Sequence, residues 1–405
     1  MKKIFYGWKI VGAGSALQFL QCMLLTQAFG VYVAVLVEER GWSKTALSAA
    51  AALKATEVAL LGPVLGWMVD RYGTERIVRV GVALFGIGFI LVSQVETLLQ
   101  FYAAFIILAL GAAMFSNFLV SVAIIQWFER QRTRALSALQ FGGAIGGLFV
   151  FAVALSIQHY GWRVTAFGSG VIALLIGLPL AGIMKTRPED LGETIDGVPP
   201  QAKRPGGAPT PLHRMFTAPE ALRTSAFWLI SIGHGFALLA VLAINVHAIS
   251  HIKSGLGYSL SQATLFFGLV TLGQGSGVAL GWILGERFVK RKVAACCMLM
   301  HATGLLMLTY APNAIVLVAG LLIHGLGWGL RGPFMQAIRA DYFGRQSIGT
   351  IMGLSSMITV IGHIAGPLIA GAFADAFGNY RAGFTFLALV SLLGAVCFLV
   401  LRRPH

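Results

Sequence analysis

Residues 101–126 read FYAAFIILALGAAMFSNFLVSVAIIQ, a run without one Asp, Glu, Lys or Arg. A helix rises about 1.5 Å per residue, so this run crosses the roughly 30 Å hydrocarbon core of a bilayer, and its surface calls for lipid rather than water. The whole chain divides into twelve such runs, at approximately 10–35, 45–68, 80–95, 101–126, 136–157, 164–184, 225–249, 261–284, 293–311, 315–338, 348–373 and 382–400. Composition agrees: 57% of residues are apolar and only 11% charged, against about 25% charged in a soluble domain. A membrane β-barrel would alternate apolar and polar residues over segments of about ten, whereas these runs are continuously apolar. The expected fold class is an all-α polytopic membrane protein with twelve transmembrane helices.

The opening Met1-Lys2-Lys3 resembles a secretory signal, but the following apolar run is too long and has no Ala-x-Ala cleavage pattern, so it reads as the first span. Cys22, Cys296, Cys297 and Cys397 all lie in apolar runs, where small packing residues are the simpler reading than disulfide partners or metal ligands. A formal charge of +15 would suggest nucleic acid in a soluble chain, so its placement decides. With the first nine residues inside, only Arg40, Lys44, Arg163, Lys253 and Arg381 fall outside and only Lys54 and Arg331 within spans; the other Lys and Arg face inward. That asymmetry is the positive-inside pattern. The basic turns 71–79, 129–134 and 286–292 therefore read as cytoplasmic anchors and nucleic-acid binding is excluded. Both termini are expected in the cytoplasm, with the chain multi-pass in the membrane.

The two halves repeat. Gly66-Trp67 corresponds to Gly281-Trp282, Phe128-x-Arg130-Gln131 to Phe343-x-Arg345-Gln346, Gly41-Trp42-Ser43 to Gly257-Tyr258-Ser259, and Gly161-Trp162-Arg163 loosely to the segment from Gly378 to Arg381. Four matches in the same order, each between equivalent apolar runs, point to a tandem duplication of six helices. Between the halves lies a polar stretch with turn chemistry at Arg187-Pro188, Pro199-Pro200 and Pro205-Gly206-Gly207. The expected organisation is a six-helix bundle over 1–184, a mobile cytoplasmic linker over 185–224 and a second six-helix bundle over 225–405. Two such bundles with a substrate held between them suit alternating access.

The segment from Gly66 to Arg76, reading GWMVDRYGTER, resembles the G-x-x-x-D-R-x-G-x-[RK]-[RK] loop motif of the major facilitator superfamily. The resemblance implies the major facilitator fold and a conformational gate at Gly66, Asp70, Arg71, Gly73 and Arg76. Tyr6-Gly7-Trp8, Phe29-Gly30-Val31-Tyr32, Glu38-Glu39-Arg40-Gly41-Trp42-Ser43, Tyr160-Gly161-Trp162-Arg163, Arg187-Pro188-Glu189-Asp190-Leu191-Gly192 and Ala340-Asp341-Tyr342-Phe343-Gly344-Arg345 resemble the bacterial branch of monocarboxylate and oxalate/formate transporters. That resemblance implies a small organic anion as substrate, with a proton or a counter-substrate as partner. The sequence departs from the branch late in the first span, where Gln27 follows Thr26, and in the eighth, where Gln274 is the sizeable polar group.

An ionisable side chain at bilayer depth costs about 2.5–3.5 kcal/mol on insertion scales, so each needs a partner, a wet cavity or a task. Arg331 in the tenth span shares a helical face with His324 and Trp328. The repeat sets it opposite Ser116 and next to Asn117 in the fourth span, making these five residues and Lys54 the candidate substrate-binding set, with Arg331 clamping a carboxylate. The alternative for Arg331 is a structural contact with a carbonyl or an acid. Lys54 and Glu57, three apart, form either a structural ion pair or a proton-linked one. Glu57, His234 and His363 are the proton-coupling candidates, against hydrogen-bonded packing for the histidines. His247 and His251, four apart, are too few for a metal site. The glycine runs 142–147 and 325–329 read as helix-packing seams rather than nucleotide loops, and no Walker sequence is present.

The leading expectation is a monomeric secondary transporter in the lipid bilayer, carrying a small carboxylate by proton symport or exchange, without cofactor or metal. An exporter of a larger or hydrophobic compound is the nearest rival, and a non-transporting membrane sensor a weaker one, because two bundles and a connector consume the 405 residues. An enzyme is not expected, since no nucleophile-base arrangement or metal-ligand set recurs at a plausible spacing.

Overall fold

The computed structural model describes residues 5–42, 47, 61–198 and 215–404, and among them every regular element is a helix. Ten of the described segments are long and apolar enough to cross a membrane. One of these, Arg132–Ile183, carries both the fifth and the sixth expected spans across a turn at Gly161, where φ is 77°. Of the second expected span, residues 61–68 are helical, in a helix that runs on to residue 72; apart from residue 47, residues 45–60 lie outside the described residues. The outward faces are apolar, with Leu99 and Ile315 each 80% exposed, as a lipid solvent requires.

The chain forms two compact units, Met1–Arg130 with Ala138–Leu212, and Gln131–Ser137 with His213–His405. In the first, α1 (Tyr6–Gln21) passes through a π-helical turn at Cys22–Thr26 into α2 (Phe29–Arg40). Helix α3 covers residues 61–72, followed by α4 (Thr74–Ser93), α5 (Leu98–Met114), α6 (Asn117–Trp127), α7 (Arg132–Leu148, of which the residues up to Ser137 belong to the second unit), α8 (Val150–Ile172) and α9 (Leu178–Ile183). The second unit contains α10 (Ala218–Leu222), α11 (Ser225–Ser250), α12 (Leu260–Leu284), α13 (Lys290–Thr309), α14 (Ala314–Phe343), α15 (Ile348–Phe377) and α16 (Arg381–Leu399).

Small residues let these helices touch backbone to backbone. A Cβ on Gly142 or Gly146 of α7 would collide with the carbonyls of Ser15 and Phe19 on α1. In the second unit Gly362 and Gly366 of α15 meet the carbonyls of Gly235 and Leu239 on α11 in the same way. Gly325 and Gly329 of α14 likewise press on the carbonyls of Val270 and Gln274 on α12. In hydrocarbon, where no hydrophobic force drives one helix onto another, such close van der Waals contact is what holds them.

The duplication is visible in the caps as well as the seams. Gly41 and Gly257 have φ of 67° and 81°, and Gly161 and Gly378 have 77° and 69°, all in the left-handed region that glycine tolerates. Thr97 caps α5 and Asn313 caps α14, each accepting from a backbone N–H three residues on.

Part of the expected linker has structure of its own. Residues 185–198 are secured to the first unit: the Trp127 indole donates to the Lys185 carbonyl at 2.9 Å, Lys185 pairs with Glu75 at 2.8 Å, and the Asp196 carboxylate accepts from the Arg130 N–H at 2.8 Å. The polar composition there supplies caps for backbone donors, and the described remainder of the linker includes α10. Residues 199–214 lie outside the described residues.

Candidate functional site

In the second unit the ionisable candidates within the spans lie on α11, α13, α14 and α15. Helix α14 holds two buried arginines whose surroundings differ. Arg339 is 5% exposed and fully engaged: Nε and Nη2 donate to Ser355 Oγ at 3.0 and 2.8 Å, Nη1 to the Met335 carbonyl at 3.0 Å, and Nη2 to His234 Nδ1 at 3.0 Å. Ser355 in turn shares a 2.8 Å hydrogen bond with Ser231. Arg331, two turns earlier, is 2% exposed, and its Nε and Nη1 have no hydrogen-bond partner. Among the described residues no carboxylate pairs with it. The desolvation of this guanidinium is only partly compensated, because two of its nitrogens have no acceptor.

His324 and His301 complete the buried polar set on this part of α14 and α13. Both are fully enclosed, their Nδ1 atoms are 3.3 Å apart, and the Nε2 of each has no partner. Trp328 is half-buried and packs against the apolar cluster around Leu317 and Leu321. His324 and Trp328 were legible as one helical face with Arg331. His301 was not singled out, although an ionisable residue inside the ninth apolar run is the same kind of signal. The apolar pattern ends the tenth span at residue 338 and sets Arg339 among the cytoplasmic cations, whereas α14 runs on to Phe343 and takes the residue into the packed interior.

The geometry changes the footing of the histidine candidates. An arginine can only donate, so His234 Nδ1 accepts, and a proton at that atom would have to displace Arg339. His363 is exposed on α15, with Nδ1 3.3 Å from the Thr359 carbonyl. His247 and His251 turn to different carbonyls, those of Pro367 at 3.0 Å and Leu308 at 3.3 Å.

In the first unit, Ser116 and Asn117 sit where the expected fourth span breaks. Helix α5 ends at Met114, Ser116 is the N-cap of α6, and Asn117 its first residue. The break frees carbonyls, and α1 satisfies them: Gln18 donates to the Phe115 carbonyl at 2.8 Å and Gln21 to that of Ala112 at 2.7 Å. The uninterrupted apolar composition of residues 101–126 predicts one continuous span and gives no sign of the break or of the two glutamines that serve it. Helix α6 thus presents an amino end, with its partial positive charge, within the membrane-spanning region. Lys54 and Glu57 lie outside the described residues.

The loop between α3 and α4 turns at Gly73, with φ of 85°, and the Thr74 N–H donates to Thr186 Oγ1 at 3.1 Å. A Cβ on Gly73 would press on that same hydroxyl. Gly66 is buried, Asp70 half-buried at the end of α3, and Arg76 exposed. The Arg71 guanidinium stacks over the Trp67 and Tyr72 rings, 5.5 and 5.7 Å from their centroids. At the other end of this unit, Glu39 accepts from the Trp162 indole at 2.9 Å, and Glu96 pairs with Arg40 at 3.1 Å and Arg163 at 2.6 Å. Arg163 also donates to the carbonyls of Ser93 and Val95 at 2.7 and 2.9 Å. Several residues that carry the family resemblance are therefore ties between helix ends.

Duplicated all-helical units, with broken or bulged spans and a buried cation left open, define a polytopic membrane transporter. The chain belongs to the Major Facilitator Superfamily, whose model matches residues 15–283 and 230–405. It is 25% identical to human (Homo sapiens) monocarboxylate transporter 11, over 98% of this chain and 83% of the relative. To Bos taurus monocarboxylate transporter 13 it is 26% identical, over 99% of this chain and 90% of the relative. The crystal structure of the E. coli fucose:proton symporter superposes with a TM-score of 0.71 at 13% identity, covering 97% of this chain and 98% of that one, a likeness of fold. The protein is a membrane transporter and not an enzyme.

Proposed function

We propose that the protein carries a small organic anion, of the monocarboxylate class, by alternating access, through proton symport or exchange. The observation that supports this reading is Arg331: a guanidinium 2% exposed, with Nε and Nη1 unpaired and no carboxylate partner among the described residues. A carboxylate could accept from these open donors through charge-assisted hydrogen bonds and would offset the cost of burying the guanidinium more fully than a neutral acceptor, while a cation would be repelled. The relatives named as monocarboxylate transporters point to the same chemistry.

In this reading the chain works as a monomer in a bacterial inner membrane with both termini cytoplasmic. Ser116, Asn117, Lys54, His324 and Trp328 join Arg331 in binding, Glu57, His234 and His363 are the candidate proton groups, and the loop residues Gly66, Asp70, Arg71, Gly73 and Arg76 gate the exchange of conformations. The test is thermal shift of the purified protein against a panel of small mono- and dicarboxylates and hydrophobic compounds, since a ligand that binds only the folded state raises its melting point. A shift with a carboxylate that vanishes in Arg331→Ala supports the reading. A response to hydrophobic compounds with silence toward acids sinks it in favour of an exporter.

A further inference from the structure

A cavity of about 560 Å³ opens in the second unit where α13 begins, α14 ends and the chain leaves α16. Its wall carries four cations, Lys290, Arg291, Arg402 and Arg403, and two acids, Glu286 and Asp341. The acids are already taken: Lys290 pairs with Glu286 at 2.7 Å and Asp341 at 2.6 Å, and Asp341 also pairs with Arg132 at 2.5 Å. Arg291 donates to the Leu401 carbonyl, and Arg403 lies 5.9 Å from the Tyr342 ring centroid. Arg402 and Arg403 are exposed, and among the described residues no carboxylate pairs with Arg291, Arg402 or Arg403. The amino end of α13 at Val289 has no side-chain cap, so its partial positive charge adds to theirs.

The same corner exposes apolar side chains. Phe288 and Val289 at the rim are 55% and 56% exposed, and Leu399 and Val400, separated from the two arginines by the buried Leu401, are similarly open. A site for a soluble anion needs no such rim. Cations set against exposed apolar groups at the end of membrane-spanning helices match a ligand that is anionic at one end and acyl at the other.

We propose that this cavity binds the phosphodiester headgroup of an anionic phospholipid, with Arg402, Arg403 and Arg291 around the phosphate and Phe288 and Val289 against the acyl chains. The inference rests on the chain spanning a membrane and is independent of which anion Arg331 takes. Because Lys290 holds both acids of the cavity, a phosphate drawn to it competes with the Asp341 pairing, which connects lipid binding to the Arg132–Asp341–Lys290–Glu286 cluster.

The experiment compares retention of phosphatidylglycerol and phosphatidylcholine by the full-length protein after exchange from mixed vesicles, read by native mass spectrometry. Each surface cation is worth about 1 kcal/mol toward anionic lipid, close to a fivefold factor in affinity. Arg402→Gln/Arg403→Gln is expected to lower the phosphatidylglycerol preference about 25-fold, Arg402→Lys/Arg403→Lys to keep most of it, and Arg223→Gln to leave it unchanged. Arg223 is the suitable control because it is exposed and follows Ala221, which packs in one cluster with Phe343 and Leu401 at this end of the unit. An unchanged preference in the double glutamine variant, or an equal loss in Arg223→Gln, overturns the proposal. Displacement of the bound lipid by glycerol phosphate as readily as by phosphatidylglycerol overturns the lipid assignment in favour of a soluble phosphate. Melting curves in phosphatidylcholine alone confirm folding of each variant, and no transport substrate is needed for any arm.

Discussion

His301 and His324 face each other across α13 and α14 with their Nδ1 atoms 3.3 Å apart. When neutral, two ring nitrogens at this distance share one hydrogen, so one imidazole donates and the other accepts, leaving one Nε2 as an unpaired donor and the other as an unpaired acceptor. Replacing either ring by Ala orphans its partner, at an expected cost of about 1–3 kcal/mol. The double variant is expected to cost less than the sum of the singles in a thermal double-mutant cycle; additive losses would show that the two rings do not interact.

Arg331→Ala is expected to weaken carboxylate binding by roughly 10- to 100-fold, the worth of a charge-assisted hydrogen bond. Arg331→Lys retains the charge but not the planar fork, so its affinity should fall between the two. Titration calorimetry on correctly folded protein reads the order directly, and parent-like affinity in the alanine variant would remove Arg331 from the binding site.

Arg339→Ala should behave differently. It strips partners from His234 and Ser355 and the Met335 carbonyl at once, so the expected loss is in melting temperature and expression, of order 3 kcal/mol or more. Ligand affinity of whatever fraction folds should stay near that of the parent, and a stable Arg339→Ala protein with selectively lost binding would contradict this assignment.

Gly329→Leu puts a side chain where the Gln274 carbonyl lies against α14. Overpacking of this kind costs about 1–3 kcal/mol. The same change at Gly268, where an added Cβ would meet nothing within 4 Å, should cost far less. The difference in melting temperature between the two variants is the measurement, and equal effects would mean that the α12–α14 seam is not close-packed.

Glu96 titrates below its ordinary range, chiefly because Arg40 hydrogen-bonds its carboxylate, with Arg163 adding attraction. A folded-state pKa that is depressed gives stability that is present above the unfolded value near 4.5 and lost as pH falls through the lower, folded value. The melting-temperature difference between parent and Glu96→Gln should therefore be constant at neutral pH and shrink as pH falls below that value. A difference that persists unchanged into strong acid would argue against the Arg40–Glu96–Arg163 tie.

The sequence alone determined that the chain spans a membrane as a duplicated set of helices, because burial in lipid requires long apolar runs whose backbones satisfy themselves. It also placed His324, Trp328 and Arg331 on one face of one helix, since helical periodicity is a local property. Local chemistry further marked Gly142, Gly146, Gly325 and Gly329 as contact points, although their partners were not legible.

Only the tertiary structure separated the two arginines of α14. Arg339 is closed by side chains from α11 and α15, more than one hundred residues away and sixteen residues on, and Arg331 is left open; nothing in the local sequence distinguishes those fates. The His301–His324 pair, the break at Ser116 and the glutamines of α1 that stabilise it likewise depend on which helices lie side by side. Apolar periodicity tells a helix that it must be buried in lipid or protein, while hydrogen-bond satisfaction is decided by distant neighbours, and that is where the chemistry of this site was set.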